Sequence, residues 1–194
     1  MVSAAVIGYR GMLGSVVARR WQELGVEVIG IGRGGELPGT NYVVNCIRPD
    51  NLDLSRALTD YRLIQPSTDA IAEPTYYAEG KRALEKLDAI TLRSGLVDIT
   101  RQPASAYLNW WCNPLTPLEW ADMAWELRDG PGVHPLGRER VSRYQVAVMV
   151  SEVFGTERPT EAAAEEPLDR VVPCRRRFPV LRVALEEYER WLSL

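Results

Sequence analysis

The feature that most constrains the fold is a run of three evenly spaced glycines near the start of the chain. Gly8, Gly11 and Gly14 form a GxxGxxG run. Residues 4–7 before it are apolar, and apolar residues at helical spacing follow it, which predicts a strand, a turn and a helix. Residues 26–31 then resume as an apolar segment, so the first thirty residues predict a βαβ unit. Such a unit requires a parallel sheet with a right-handed crossover.

The alternation of strands and helices continues through residue 97. Further strands are predicted at residues 42–47, 62–65 and 89–93, and helices at 52–59 and 76–87. The fold class predicted is therefore α/β, with a trimmed Rossmann-type doubly wound parallel sheet in residues 1–97. Residues 98–194 predict a small, mostly helical C-terminal part of the same compact unit, with helices that open at Thr116, Ser142 and Val180. The acidic segment 156–170 contains two prolines and predicts an exposed loop or weak helix.

The glycine spacing is typical of a pyrophosphate site. Gly8 and Gly11 permit a tight turn and close approach of a diphosphate to the backbone, and Gly14 permits close packing of the helix. The N-terminus of the helix adds free N–H groups and the positive end of its dipole. We expect a dinucleotide to bind here, and an ordinary glycine-rich turn is the alternative.

The end of the second predicted strand bears on the choice of cofactor. An acidic residue at this place suits the ribose of NAD, whereas an arginine suits the additional phosphate of NADP. The chain has Arg33 there. NADP(H) is therefore preferred over NAD(H), unless Arg33 is only a solvated loop residue.

A YxxxK motif lies on the predicted helix at residues 76–87. Tyr77 and Lys81 are four residues apart and share one face of the helix, and Lys81 is one of two lysines in the chain. A fixed ammonium favours the phenolate and adapts a phenol, with a pKa near 10, to proton transfer at neutral pH. Thr68, which follows a predicted strand, supplies a hydroxyl for the same substrate oxygen. The alternative is that Tyr77 packs, Lys81 is solvated and Thr68 caps a turn.

With these motifs the chain resembles the extended short-chain dehydrogenase/reductases, most closely the dTDP-4-dehydrorhamnose reductase-like enzymes. The three glycines match the cofactor glycines of the family, and Ser67-Thr68-Asp69 matches its Ser-Thr-Asp stretch. Tyr77 and Lys81 match the catalytic pair. Residues 91–95, 111–119, 132–137 and 141–144 are also similar to family segments.

The resemblance implies hydride transfer from a nicotinamide to the keto group of a nucleotide-linked sugar. Thr68 would hold the carbonyl oxygen, Tyr77 would donate a proton, and Lys81 would bind the nicotinamide ribose and lower the pKa of Tyr77. The residues expected at the cofactor are Gly8, Tyr9, Arg10, Gly11, Met12, Leu13, Gly14, Arg33, Cys46 and Lys81, and those expected at the substrate are Ser67, Trp111 and Asn113.

Two other functions stay open. An epimerase or dehydratase on the same scaffold uses the same Tyr and Lys with transient oxidation of the sugar. A non-catalytic regulatory or scaffolding subunit is the second alternative, because only one short helix fits between Cys46 and Arg62 and only eight residues separate Thr68 from Tyr77. The family has longer segments at both places.

Composition excludes several other classes. A net charge of −3 gives no reason to expect nucleic acid, and the absence of an apolar run of 18 to 20 residues predicts a cytoplasmic protein without a membrane partner. A homo-oligomer is compatible with the sequence. Three cysteines without a CxxC pair and a single histidine do not make a zinc site, so no metal is expected. Trp120, Trp125 and His134 are interpreted as structural, and residues 174–177 as a solvated basic run with a diphosphate contact as the alternative.

Overall fold

The computed structural model describes residues 1–32, 35–47, 58, 60–99, 103–174 and 176–194. Arg33, Arg175 and, apart from Leu58, the helix predicted at residues 52–59 lie outside the described residues. The chain divides into two compact units, of which the first comprises residues 1–93 and 117–134 and the second residues 94–116 and 135–194. The helix Pro117–Glu126 therefore belongs to the first unit, although its residues were predicted to be part of the C-terminal segment 98–194.

The elements alternate between strand and helix along most of the chain. In chain order they are β1 (Ser3–Ile7), α1 (Met12–Glu23), β2 (Glu27–Ile31), β3 (Tyr42–Asn45), β4 (Arg62–Thr68), α2 (Tyr76–Leu84), β5 (Ile90–Ser94), β6 (Ser105–Tyr107), β7 (Trp110–Cys112), α3 (Pro117–Glu126), β8 (Gly132–Pro135), β9 (Val141–Ser142), α4 (Arg143–Phe154), β10 (Thr160–Ala162), β11 (Leu168–Asp169) and α5 (Leu181–Leu192).

A six-stranded sheet with the order β2-β1-β3-β4-β5-β8 forms the centre of the first unit. Strand β1 pairs in parallel with both β2 and β3, so that Ala5 lies between Ile29 and Val43, and β3 pairs in parallel with β4. The Rossmann-type α/β fold is thereby confirmed. From β1 the chain turns first to one side and later to the other, so the topological switch point lies between β1 and β3. In such sheets ligands bind at the carboxyl ends of the strands beside this point.

The strands of the central sheet are apolar because both faces of the sheet are buried, and helix α1 packs its apolar side against one of them. All four residues of β3 are buried, as expected for a central parallel strand. Helix α1 turns Leu13, Val16, Val17 and Trp21 inward, and the indole nitrogen of Trp21 donates to the Ala121 carbonyl in α3 at 3.0 Å. Full burial of one such aromatic side chain stabilises the fold by about 2 to 3 kcal/mol. Packing of α3 on α1 explains the place of α3 in the first unit.

The described residues of the second unit form two helices and two small sheets. Helix α4 opens at Ser142, as the sequence predicts, with a capping box between Ser142 and Gln145, and it ends at Gly155 with φ +65°. Strands β10 and β11 pair in parallel with β6 and β7. The prediction of a loop at residues 156–170 holds for most of the segment and was wrong at Thr160–Ala162 and Leu168–Asp169, because strand pairing with distant residues leaves no local signal in an acidic segment.

None of the helices formed by the described residues is long and apolar enough to span a membrane.

Candidate functional site

The turn between β1 and α1 has a conformation that requires glycine at two places. Gly8 has a φ of +78°, and its carbonyl accepts a hydrogen bond from the Gly11 N–H at 2.9 Å. A Cβ atom on Gly14 would lie 2.2 Å from the Gly8 carbonyl oxygen, a distance at which the backbone must move. The turn is therefore folded tightly against the first turn of α1.

The same turn lies beside the end of β3, at the switch point of the sheet. The Cys46 N–H donates to the Ile7 carbonyl at 3.0 Å, and a Cβ on Gly8 would lie 3.1 Å from the Ile47 side chain. The Tyr9 ring covers Gly30 of β2, where a Cβ would lie 2.5 Å from the ring. The sequence analysis missed Gly30, although a glycine inside a strand signals a close approach of this kind.

The residues of this turn fit the diphosphate of a dinucleotide. Helix α1 begins after Gly11, and no side chain caps its N-terminus. Its first turn carries no acidic residue that would repel an anion. The positive end of the helix dipole and the N–H groups beside the glycines are thus available to phosphate oxygens.

Tyr77 and Lys81 lie on one face of α2, as their spacing predicts. Thr75 caps this helix by accepting from the Ala78 N–H at 3.1 Å. Lys81 is only 3% exposed, and its Nζ donates to the carbonyl oxygen of Pro66 in β4 at 2.6 Å. The same Nζ lies 5.8 Å from the centroid of the Tyr77 ring, whereas Tyr77 itself is 46% exposed. The pair therefore combines a buried cation with an accessible phenol.

Burial and neighbouring charges change the pKa of Lys81. Burial lowers the pKa of Lys81 to about 8, while Cys46 and Glu85 act in the opposite direction. Burial also raises the pKa of the Cys46 thiol to about 12, against the effect of Lys81. Cys46 is accordingly a neutral thiol at neutral pH, and Lys81 titrates within reach of physiological pH.

A third residue, Glu85, continues the face of α2 that carries Tyr77 and Lys81. Its carboxylate accepts hydrogen bonds from the Ser67 hydroxyl at 2.6 Å and from Arg93 Nε at 2.8 Å. The hydrogen bond with Glu85 raises the pKa of Arg93. Glu85 was not among the predicted site residues, although it lies four residues after Lys81, the same spacing as that between Tyr77 and Lys81.

Thr68 and Ser67 stand at the end of β4 and are both buried. The Thr68 hydroxyl accepts from the Ala70 N–H at 3.1 Å and donates to Asp69 at 3.3 Å. The Ser67 hydroxyl donates to Glu85 instead. Within the described contacts, Thr68 and Ser67 thus make separate networks.

The second unit contains Trp111 and Asn113. The Asn113 amide is buried, with its oxygen accepting from the Val172 N–H at 2.9 Å and its nitrogen donating to the Val172 carbonyl at 2.8 Å. The Arg140 guanidinium lies 4.0 Å from the centroid of the Trp111 ring. These two hydrogen bonds of Asn113 join the segment after β7 to the backbone of Val172.

Three residues interpreted as structural have structural contacts. Trp120 is fully buried, and Trp125 packs edge-on against Trp21 with ring centroids 5.3 Å apart. The ring nitrogen Nε2 of His134 is hydrogen-bonded to the Gly130 carbonyl at 2.6 Å. These contacts lie within the first unit and account for the three side chains without a catalytic role.

Solved structures resemble the chain over almost its whole length. A dTDP-4-dehydrorhamnose reductase from Clostridium acetobutylicum aligns over 100% of both chains with a TM-score of 0.73 and 16% identity. The reductase of the same name from Bacillus anthracis, in complex with NADP, aligns over 100% of this chain and 99% of its own, with a TM-score of 0.77 and 11% identity. The dTDP-glucose 4,6-dehydratase from Bacillus anthracis, in complex with NAD, aligns over 100% of this chain and 97% of its own, with a TM-score of 0.74 and 12% identity.

The sequence itself matches no protein-family model and no curated protein. At identities of 11 to 16% the structural likeness shows the fold alone. The chain therefore has the Rossmann-type fold that the dTDP-4-dehydrorhamnose reductases and a related dehydratase share, as the sequence motifs predict.

Proposed function

We propose that this protein is an NAD(P)H-dependent oxidoreductase that reduces the keto group of a nucleotide-linked sugar. The observation that carries the proposal is the buried Lys81 ammonium, 5.8 Å from the ring centroid of an accessible Tyr77 on the same helix face. Burial of a lysine charge costs free energy, and costly buried charges of this kind are common at functional sites. Proton transfer by the adjacent phenol is the function proposed for this charge.

The cofactor would bind at the glycine-rich turn. Gly8, Gly11 and Gly14 leave room for a diphosphate, and the N-terminus of α1 supplies the N–H groups, with Tyr9, Arg10, Met12 and Leu13 as its neighbours. Lys81 has three N–H donors, and Pro66 takes one of them. The others suit hydroxyl groups of a ribose. A bound nicotinamide supplies the hydride that the substrate carbon accepts.

The remaining chemistry belongs to residues of the chain. Tyr77 donates the phenolic proton to the carbonyl oxygen of the substrate as this oxygen becomes a hydroxyl. The Lys81 ammonium favours negative charge on the Tyr77 oxygen. Thr68 holds the same substrate oxygen by giving up its long 3.3 Å bond to Asp69. Ser67, beside Thr68 in the first unit, is a further proposed substrate contact.

The proposal includes a preference for NADP(H), which rests on the position of Arg33 in the sequence. One solved structure with this fold is described in complex with NADP and another in complex with NAD, so the fold accepts either cofactor. The guanidinium group of an arginine is suited to a phosphate through paired hydrogen bonds. Cofactor titration therefore tests this part of the proposal separately from catalysis.

The proposed catalytic role is tested by Tyr77→Phe, with Tyr76→Phe as its matched control. Tyr76 is adjacent in α2 and 79% exposed, so the control removes a hydroxyl of the same kind from the same turn. Oxidation of NADPH is measured with dTDP-4-dehydrorhamnose as the keto-sugar substrate. We expect Tyr77→Phe to lower kcat by about 10² to 10⁴ with NADPH affinity nearly unchanged, because only the proton donor is lost.

The outcomes separate the three functions. Full activity in Tyr77→Phe, or an equal loss in Tyr76→Phe, contradicts the catalytic assignment. Conversion of a nucleotide sugar by tightly bound NAD without net oxidation of NADPH would instead identify an epimerase or dehydratase. Cofactor binding without any turnover on keto-sugar nucleotides would favour the non-catalytic subunit.

A further inference from the structure

One buried carboxylate in the first unit has no place in the proposed proton transfer. The Glu85 side chain is 9% exposed and lies one helical turn beyond Lys81, and its N–H donates to the Lys81 carbonyl at 3.0 Å. It accepts hydrogen bonds from Ser67 and from Arg93, on the strands β4 and β5. A carboxylate held by two strands beneath a catalytic helix calls for a physical reason.

We propose that Glu85 is a positioning residue that keeps the buried Lys81 ammonium charged, with Ser67 and Arg93 fixing its orientation. The consequence for turnover rests on the proposed function. The effect on Lys81 itself does not, because it follows from charge and burial alone.

Among the residues that the structure describes, the groups around Lys81 single out Glu85 as a source of negative charge at neutral pH. From β3 comes the Cys46 thiol, which is neutral at neutral pH because burial raises its pKa to about 12. From β4 comes the Pro66 carbonyl, which carries a dipole but no net charge. Helix α2 contributes Tyr77, and Glu85 directly follows its last residue. The Glu85 carboxylate binds Ser67, and Lys81 binds the adjacent Pro66, so both groups lie against the same end of β4. Of these groups, Glu85 carries a full negative charge at neutral pH. The Cys46 thiolate has a larger effect on the pKa of Lys81 than Glu85 has, but it forms only in alkaline solution.

Arg93 and Ser67 fix the position of the Glu85 carboxylate. Arg93 binds the carboxylate with two N–H groups, and the Ser67 hydroxyl occupies one of the same oxygens. Bidentate pairs of this kind fix geometry as well as energy. The Arg93 side chain is 31% exposed, so water screens its own charge more than that of Glu85. The carboxylate thus retains its effect on Lys81.

The test is a pH titration of the lysine side chains by NMR in the intact protein labelled with ¹³C-lysine. The chain contains only Lys81 and Lys86, so two signals are expected, and Lys86→Arg identifies them. Glu85→Gln is compared with Glu79→Gln, which removes the same charge from an exposed position of α2. We expect Glu85→Gln to lower the titration midpoint of Lys81 by about one pH unit, and Glu79→Gln to change it by less than about 0.3.

A second variant covers the chance that Glu85→Gln does not fold with Arg93 unpaired. Glu85→Gln combined with Arg93→Gln removes both partners, which leaves no uncompensated charge, and we expect the Lys81 midpoint to fall in this protein too. The proposal is overturned if the titration midpoint of Lys81 in either folded variant stays within about 0.3 pH units of its wild-type value.

Activity then distinguishes this inference from the proposed function. If the protein reduces keto-sugar nucleotides, Glu85→Gln shifts the alkaline limb of kcat to lower pH by the same amount as the Lys81 midpoint. A limb that does not move with the midpoint overturns the positioning role. A protein without reductase activity refutes the proposed function, while the NMR titration still decides whether Glu85 controls the charge of Lys81.

Discussion

At the scale of the residue, Lys81 shows where stability and the proposed chemistry make opposite demands. The ammonium is almost fully buried, with one hydrogen bond to Pro66. Burial lowers the pKa of Lys81 to about 8 from its ordinary value of 10.5. Below pH 8 the folded protein therefore bears the cost of a buried charge. The same position lets the ammonium act on Tyr77 and a ribose without competition from bulk water.

The free-energy cost of burying the Lys81 ammonium predicts how the stability of the folded protein depends on pH. Between pH 8 and 10.5 the unfolded chain binds a proton at Lys81 that the folded protein has lost, so stability rises with pH in this window. We expect the free energy of unfolding of wild type minus that of Lys81→Met to increase by on the order of 3 kcal/mol across it. Urea unfolding at several pH values measures this difference. The exposed Lys86→Met serves as a control and stays within about 0.5 kcal/mol of wild type.

The contribution of Cys46 to stability changes with pH in the opposite direction, so it must be distinguished from the contribution of Lys81. Its folded pKa of about 12 lies above the ordinary 9.0, so its contribution to stability is lost as pH rises from 9 to 12. Because both proteins in the comparison keep Cys46, its contribution largely cancels in their difference. A difference curve that is flat from pH 8 to 10.5 would contradict the burial of a titrating Lys81.

At the scale of the element, the β1–α1 turn depends on the absence of a side chain at Gly14. A Cβ there meets two backbone atoms of Gly8, at 2.2 and 2.7 Å, and neither can move away as a flexible side chain could. We expect Gly14→Ala to destabilise the protein by about 3 kcal/mol or more. Denaturant unfolding of the purified variant measures the loss.

Gly39→Ala is the matched control for this substitution. No atom lies within 4 Å of a Cβ at Gly39, and its φ is not in the left-handed region. We expect this variant to change stability by less than about 1 kcal/mol. Equal stability of wild type and Gly14→Ala would show that the turn is not packed as described.

Helix ends can be predicted from neighbouring residues in the sequence, whereas strands that pair with distant segments cannot. Ser142, Gln145 and Gly155 mark the two ends of α4 in the sequence, because caps depend on residues within one helical turn. Strands β10 and β11 have no such mark, since their partners lie more than fifty residues earlier in the chain. Glu85 was missed for the same reason, because its partner Ser67 lies on a strand 18 residues away.

At the scale of the whole molecule, the sequence predicts the sheet through the glycine-rich turn and the alternation of strand and helix. It does not predict that α3 packs on α1, because the contact of Trp21 with Ala121 joins residues 100 positions apart. The glycines and the Tyr77–Lys81 pair are predictable, since their roles depend on short spacings. The networks around Thr68 and Asn113 depend on tertiary contacts and become visible only in the structure.

The most direct test of the central claim is calorimetric titration of the whole protein with NADPH and with NADH. Gly11→Leu places a side chain at the N-terminus of α1, and Gly39→Leu adds the same side chain in open space. We expect one NADPH to bind each chain more tightly than NADH, with affinity lost in Gly11→Leu and kept in Gly39→Leu. Absence of binding to either cofactor, or equal binding by Gly11→Leu, would contradict a working dinucleotide site at the glycine-rich turn.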